Sequence, residues 1–279
     1  MNKLILINKE MDMTSHDLVN IARRSLRTKK IGHTGTLDPN ATGLMVLAVN
    51  NATKLVNYLQ NDDKEYIFQM EFGYTTDTLD QWGEKVQEQA VKEFSKAEFE
   101  EVLKSFLGDI TQTPPIYSAI KVNGKKLYEY ARANEPVEIP SRQVHISEIE
   151  LLDFEDSYKV RVACSSGTYI RTLIADIAVK LGNLGVMTSL VRTRVGQMYL
   201  EDAISIDQLK NNELKFVDPE IVLEAYKKVE YPDQADIFNG RRIELDVAED
   251  LVLITINNKS MAFYEREDNK TFKCKRGLW

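Results

Sequence analysis

Residues 32–45 read GHTGTLDPNATGLM, and the rest of the chain is best read outward from them. Gly32, Gly35 and Gly43, with His33 and the Asp38–Pro39 pair, lie between a basic segment and the apolar run LMVLAV at 44–49. Pro39 pushes Asp38 into an extended conformation and fixes its own φ. The glycines permit bends that side chains resist. The loop is therefore a shaped object that presents one carboxylate, Asp38, near the start of an interior strand. Asp-Pro is also ordinary turn chemistry, so the loop alone has a purely structural explanation.

On either side the pattern alternates between strand and helix. LILINK at 4–9 reads as a buried strand. Ser15 is an N-cap candidate for a helix over 16–27, with Leu18, Ile21, Ala22 and Leu26 on one face. A helix is expected over 52–60 and an aromatic, β-rich strand over 65–74, followed by loop at 75–83. Phe99, Val102, Leu103 and Phe106 form the apolar face of a helix over 95–107. The prolines of TQTPPIY at 111–117 demand an extended chain. An Asn-Gly turn at 123–124 precedes a short helix. Strands are expected over 143–153, 157–164 and 190–200, and a helix over 168–181 that stops at Gly182. Helices at 205–211 and 218–228 join this part to short β-like runs over 231–279.

Composition narrows the class. Of the 279 residues, 43% are hydrophobic and 28% charged, as in ordinary globular proteins. No run approaches the roughly 18 apolar residues of a membrane span. The N-terminal apolar run is too short for a secretory signal, and Cys164 and Cys274 suggest no disulfide framework, so a cytoplasmic location is expected. His16, His33 and His145 show no metal-ligand spacing. The net charge of −7 argues against a nucleic-acid binder until its distribution is considered. Residues 61–110 hold 13 acidic and 5 basic side chains, whereas residues 1–30 hold 7 basic and 3 acidic ones. A phosphate backbone responds to the local field. Arg23, Arg24, Arg27, Lys29 and Lys30 are candidates to meet it, as are Lys121, Lys125 and Lys126.

The chemistry open to Asp38 can be sorted by elimination. A phosphate-binding loop needs lysine after its last glycine, and Leu44 stands there. No serine sits in a nucleophile elbow. His33 and Asp38 could form an acid-base pair, but their spacing in a bent loop does not establish contact. A lone carboxylate can also act as a covalent nucleophile, provided a cation keeps it ionised. Arg171, in the first turn of the helix over 168–181, is a candidate for that cation. It is equally a candidate for a structural ion pair.

Four stretches then carry a resemblance. GHTGTLDPNATGLMVLAV, KEYIFQMEFGYTTDTLDQWG, QTPPIYSAIKVNGKKLYEYAR and SGTYIRTLIADIAVKLG resemble, in that order, motifs of the tRNA pseudouridine-55 synthases of the TruB type. The resemblance runs over about residues 1–210, and the C-terminal stretch is similar to the PUA-like tail of bacterial members. It implies an α+β fold with a mixed, largely antiparallel central sheet flanked by helices. The implied domains are a catalytic one over 1–228 and a small β-rich PUA-like one over 231–279. The implied activity isomerises a uridine of the tRNA T-arm stem-loop to pseudouridine, with no cofactor, no metal, no membrane and no obligatory protein partner.

By position, Asp38 matches the family's essential aspartate. Attack at C1′, attack at C6 and a glycal route all remain open. Tyr66 matches the tyrosine that stacks on the target base, and Arg171 the arginine that pairs with the aspartate. Tyr169 and Leu190 match residues lining the uracil pocket, and His33 the histidine that inserts into the T-loop. Lys9 matches a substrate-side lysine of the N-terminal motif, although Glu10 follows it where the family has proline. An RNA-binding factor that needs no catalysis, or a synthase acting on another RNA, would use many of the same residues.

Overall fold

The computed structural model describes residues 3–60 and 63–278. It divides into two compact units. One is drawn from Met1–Pro39, Gly43–Asn61 and Val195–Trp279, the other from Asn40–Thr42 and Asp62–Arg194.

In the first unit, strand Lys3–Lys9 lies antiparallel between Thr42–Val49 and the short strand Phe216–Val217. Leu4, Ile5, Leu6 and Ile7 are all buried, so the unbroken apolar run marks a strand covered on both faces. Ile31–His33 pairs with the same Thr42–Val49 strand and delivers the chain into the Asp38 loop. The helix between them spans Ser15–Ser25. Its N-cap is Thr14, one residue earlier than the spacing predicts. The Thr14 hydroxyl accepts from Asp17 N–H at 3.1 Å, and the Asp17 carboxylate accepts from Thr14 N–H at 2.9 Å. That reciprocal box outcompetes a cap at Ser15, and it releases the Ser15 hydroxyl for another partner.

The C-terminal stretch forms a five-stranded sheet that begins with Lys228–Glu230, parallel to Leu251–Ile256. Lys259–Arg266, Thr271–Gly277 and Ile243–Glu244 complete it in antiparallel pairs. The expected helix over 218–228 shrinks to Glu220–Leu223 because this strand claims its end. The sheet shares a core with the N-terminal segment. Tyr58 stacks on Phe263 with ring centroids 3.9 Å apart, and Tyr226 meets both rings edge-on. Leu4, Val46, Leu59 and Leu253 belong to the same cluster. Burial there pushes the Tyr58 hydroxyl up to about 12.

The second unit is built on a sheet in the order Gly185–Val195, Lys64–Phe72, Tyr158–Cys164, Arg142–Asp153, Gly108–Gln112. Lys64–Phe72 alternates, with Tyr66, Phe68, Met70 and Phe72 buried. Helix Ile170–Lys180 buries Leu173, Ile174 and Ile177 and stops where Gly182 turns back at φ 72°. The strand expected over 190–200 lies at Gly185–Val195, because the chain reverses at Gly196, φ 55°. The stretch read as loop over 75–83 lies largely inside a hairpin that pairs Tyr74–Thr76 with Lys85–Glu88. The expected Asn-Gly turn is present, with Asn123 and Gly124 at φ 51° and 83°. The mixed, largely antiparallel α+β architecture with its β-rich C-terminal sheet is as the sequence implies.

Candidate active site

Asp38 sits half-buried, and both of its chain neighbours are clamped. On one side, the buried Ser15 hydroxyl accepts from Leu37 N–H at 3.0 Å and donates to the Leu37 carbonyl at 3.1 Å. On the other, the Lys9 ammonium donates to the Pro39 carbonyl at 2.9 Å. It also donates to the carbonyls of Glu10 at 2.9 Å and Met13 at 2.8 Å. A helix start and a strand end thus fix residues 37 and 39, leaving residue 38 little freedom to move between them. Lys9 itself has no exposed surface, and a buried ammonium needs this carbonyl cage to be tolerated. These three carbonyls lie around the loop because the chain from Glu10 to Met13 folds over the ammonium. His33, partly exposed, ends its strand opposite Leu47 in the same unit.

The second unit gathers three of the four motif stretches around Arg171. The guanidinium, 6% exposed, donates to the Thr78 carbonyl at 2.7 Å and the Tyr117 carbonyl at 2.9 Å. The Asp80 carboxylate lies 3.8 Å away. Asp80 is in turn held by the Thr78 hydroxyl at 2.8 Å and by Trp82 N–H at 3.2 Å. The turn before it places Leu79 at φ 63°, a left-handed conformation costly for leucine. Bonds between Leu79, Gln81 and Met187 brace it. A hydrogen bond to Asp77 pushes the Tyr117 hydroxyl upward.

The start of the Arg171 helix is tied to the QTPPIY stretch. The Gln112 side chain accepts from Tyr169 N–H at 3.0 Å and donates to the Tyr169 carbonyl at 3.3 Å. Thr172 donates to the Thr113 carbonyl at 3.3 Å. The Arg142 guanidinium lies over the Tyr169 ring, 4.7 Å from its centroid. Its Nε is buried without a hydrogen-bond partner. Gly167, at φ 85°, makes room for it: a Cβ there would come within 3.2 Å of Arg142 Nη1. Stacking on the ring is thus what holds this cation in place.

Tyr66 and Leu190 come from neighbouring strands. Side-chain bonds from Ser189 to Gln69 at 3.0 Å and from Thr193 to Glu65 at 2.7 Å bridge these strands on one face. Strand alternation puts Tyr66 and Leu190 together on the other face, where they are 8% and 7% exposed. Cys164, pushed up to about 11 by burial, is an inert thiol. Both cysteines are free. Among the described residues no cluster of His, Cys, Asp and Glu could hold a metal ion, and no helix is long and apolar enough to cross a membrane.

Ser15 and Arg142 lie outside the motif stretches, and Asp80 and Gln112 lie inside them without a role that the motif alone assigns. Ser15 looks like a cap and Asp80 like loop polarity. Gln112 and Arg142 act only through a pairing, Arg142 opposite Gln112, that joins segments thirty residues apart.

Residues 23–170 match the model of the TruB family pseudouridylate synthase, N-terminal domain. The chain belongs to this family. It is 39% identical to tRNA pseudouridine synthase B of Mesoplasma florum over 99% of both chains. It is 41% identical to the protein of that name from Streptococcus thermophilus over 94% of both. Among solved structures it resembles a chain of a Cbf5-Nop10-Gar1 complex, with TM-score 0.73 and 23% identity over 99% of this chain and 85% of that one. A likeness at that identity speaks for the pseudouridine synthase fold alone.

Proposed function

We propose that this TruB family member isomerises uridine-55 in the T-loop of tRNA to pseudouridine, with Asp38 as the nucleophile. Family membership supports the reaction, and full-length relatives named tRNA pseudouridine synthase B support tRNA as the substrate. The observation that carries the choice of residue is the double clamp on Leu37 and Pro39. A turn former needs no such fixing, whereas a nucleophile gains several kcal/mol of barrier reduction from a preset position.

In the reaction, the bond from C1′ to N1 breaks, the uracil turns, and C1′ joins C5. The proton leaving C5 balances the one taken up at N1, so atoms and electrons close without a redox partner. The base must first leave the loop, which costs a few kcal/mol. Stacking on an aromatic ring returns roughly 1–3 kcal/mol. Tyr66 is assigned that stacking, Tyr169 and Leu190 the pocket wall, and His33 the space left in the RNA loop. Arg171 is assigned the pairing that keeps Asp38 ionised. Lys9 is assigned a substrate-binding role, supported by the Pro39 carbonyl it holds beside Asp38. Residues 1–228 act as the catalytic domain and 231–279 as a PUA-like RNA-binding domain. Routes through C1′, C6 or a glycal are all compatible with this assignment.

The test is incubation with an unmodified T-arm stem-loop followed by pseudouridine mapping. Conversion at the position equivalent to 55, abolished in Asp38→Asn with RNA binding retained, is expected. Equal conversion by Asp38→Asn would remove the aspartate from the chemistry.

A further inference from the structure

A basic cleft lies at the far end of the helix that carries Ser15. It has a volume of about 620 Å³ and is lined by Arg24, Arg27, Lys210, Asn212, Leu214 and Phe216, among others, with no carboxylate in its lining. An adjoining cleft of about 390 Å³ continues it past Arg24 and Lys210 to Ile21. Arg24 and Arg27 are exposed, and neither guanidinium has a hydrogen-bond or ion-pair partner among the described residues. Lys210 shares its charge with Asp207 at 3.2 Å, an exposed pair of little worth.

The ordinary explanation for such arginines is that they offset a helix C-terminus. It covers Arg23 and Arg24, which lie in the last turn. It does not cover Arg27, which follows the C-cap Leu26 in a left-handed conformation at φ 49°. Lys210 ends a different helix, docked on the first where the Ser25 hydroxyl donates to the Leu209 carbonyl. Two helix ends bring roughly half a negative charge each. Asp207 offsets Lys210, and the two uncommitted arginines keep the balance positive.

We propose that this cleft is a phosphate-binding site that holds the backbone of the same RNA whose uridine meets Asp38. The assignment rests on the proposed function. Geometry sets the spacing. Ser15 fixes the first turn of the helix to the Asp38 loop, and 11 residues at 1.5 Å each put the cleft about 16 Å further along. That is too far for the phosphates of the target nucleotide. It is within reach of a backbone phosphate elsewhere in the bound molecule. The cleft therefore contributes affinity and register and leaves base selection to other residues. Its half-buried floor of Leu214 and Phe216 excludes some water from the ion pairs.

Binding of full-length unmodified tRNA is measured against salt for the wild type, Arg24→Gln, Arg27→Asn and the double variant. Asparagine suits the left-handed position, and Arg24→Lys with its charge kept controls for packing. Each arginine that neutralises a phosphate should contribute about 1 to the log–log salt slope, so the slope of the double variant falls by about 2 and that of Arg24→Lys stays near the wild type. Unchanged slopes overturn the site. Inorganic phosphate titrated into the wild type separates the other source: saturable phosphate binding with unchanged tRNA slopes makes this a free-anion site and also overturns the proposal. If wild-type protein binds tRNA with these slopes yet forms no pseudouridine, the proposed function fails and the docking site stands.

Discussion

Removing the Ser15 hydroxyl separates the positioning of Asp38 from the stability of its helix. Ser15→Ala deletes one oxygen from a side chain that is 3% exposed. It breaks two hydrogen bonds, to Leu37 N–H at 3.0 Å and from Ser15 to the Leu37 carbonyl at 3.1 Å. Leu37 is itself only 3% exposed, so water does not readily replace them. An unsatisfied buried polar group costs about 1–3 kcal/mol. If the loop stays in place, the loss emerges as about 2–6 kcal/mol of stability, counting both groups. If the loop shifts to rescue those groups, Asp38 moves with it, and a displacement near 1 Å costs about 100-fold in rate. Thr14→Ala is the matched control. It removes the N-cap of the same helix, worth about 1 kcal/mol, without touching Leu37. Denaturant titration gives the stability change, and single-turnover pseudouridine formation on a T-arm stem-loop gives the chemical step. The expected pattern is slow chemistry or marked destabilisation in Ser15→Ala, and a mild stability loss with normal chemistry in Thr14→Ala. Wild-type stability and rate in Ser15→Ala, or equal rate losses in the two variants, would refute the claim that this clamp sets the carboxylate.

Three further outcomes follow from other parts of the molecule. Arg142→Ala uncovers one face of Tyr169 and should lower the single-turnover rate about tenfold, the worth of a partly desolvated cation–π contact of about 1–2 kcal/mol; Arg142→Lys, lacking the planar stack, should recover only part of it, and full activity in the alanine variant would dismiss the contact. Phe263→Ala should cost about 3–5 kcal/mol in denaturant titration and, because its ring stacks on Tyr58, should loosen hydrogen-exchange protection in strand Lys3–Lys9 as well as in the C-terminal sheet; a loss of protection in the C-terminal sheet alone would contradict a shared core. Acidification should weaken both capping boxes: hydrogen bonds from the Thr14 hydroxyl and N–H hold Asp17 below its ordinary value, and those from Ser95 N–H and hydroxyl do the same for Glu98. The unfolded chain then takes up these protons first, so this contribution is present above about pH 4.3 and is lost as pH falls through the lower folded values; Thr14→Ala and Ser95→Ala should each flatten the melting-temperature decline below that pH.

Local pattern was enough for the elements whose cause is local. The apolar run 4–9, the aromatic, β-rich run 65–74, the Asn-Gly turn and the stop at Gly182 follow from side-chain pattern and backbone sterics, and all are present. Local pattern failed where a more distant partner decided. The segment 218–228 has helical spacing, yet Lys228–Glu230 joins a strand more than twenty residues away. The cap falls at Thr14 rather than Ser15 because the box with Asp17 wins, and the serine hydroxyl it releases goes to Leu37, twenty-two residues on.

The amino-acid order by itself determined the mixed α+β class, the Asp38–Pro39 loop and the placement of Arg171 in the first turn of its helix, since each rests on neighbours within a few positions. Only the tertiary structure decided which distant partners these side chains meet. Lys9 closes on the Pro39 carbonyl, Arg171 gathers Thr78, Asp80 and Tyr117, and Arg142 covers Tyr169 across separations of roughly 30 to 90 residues. A hydrogen-bonding group carries no mark in the sequence of which distant partner will satisfy it, and burial is what forces the choice.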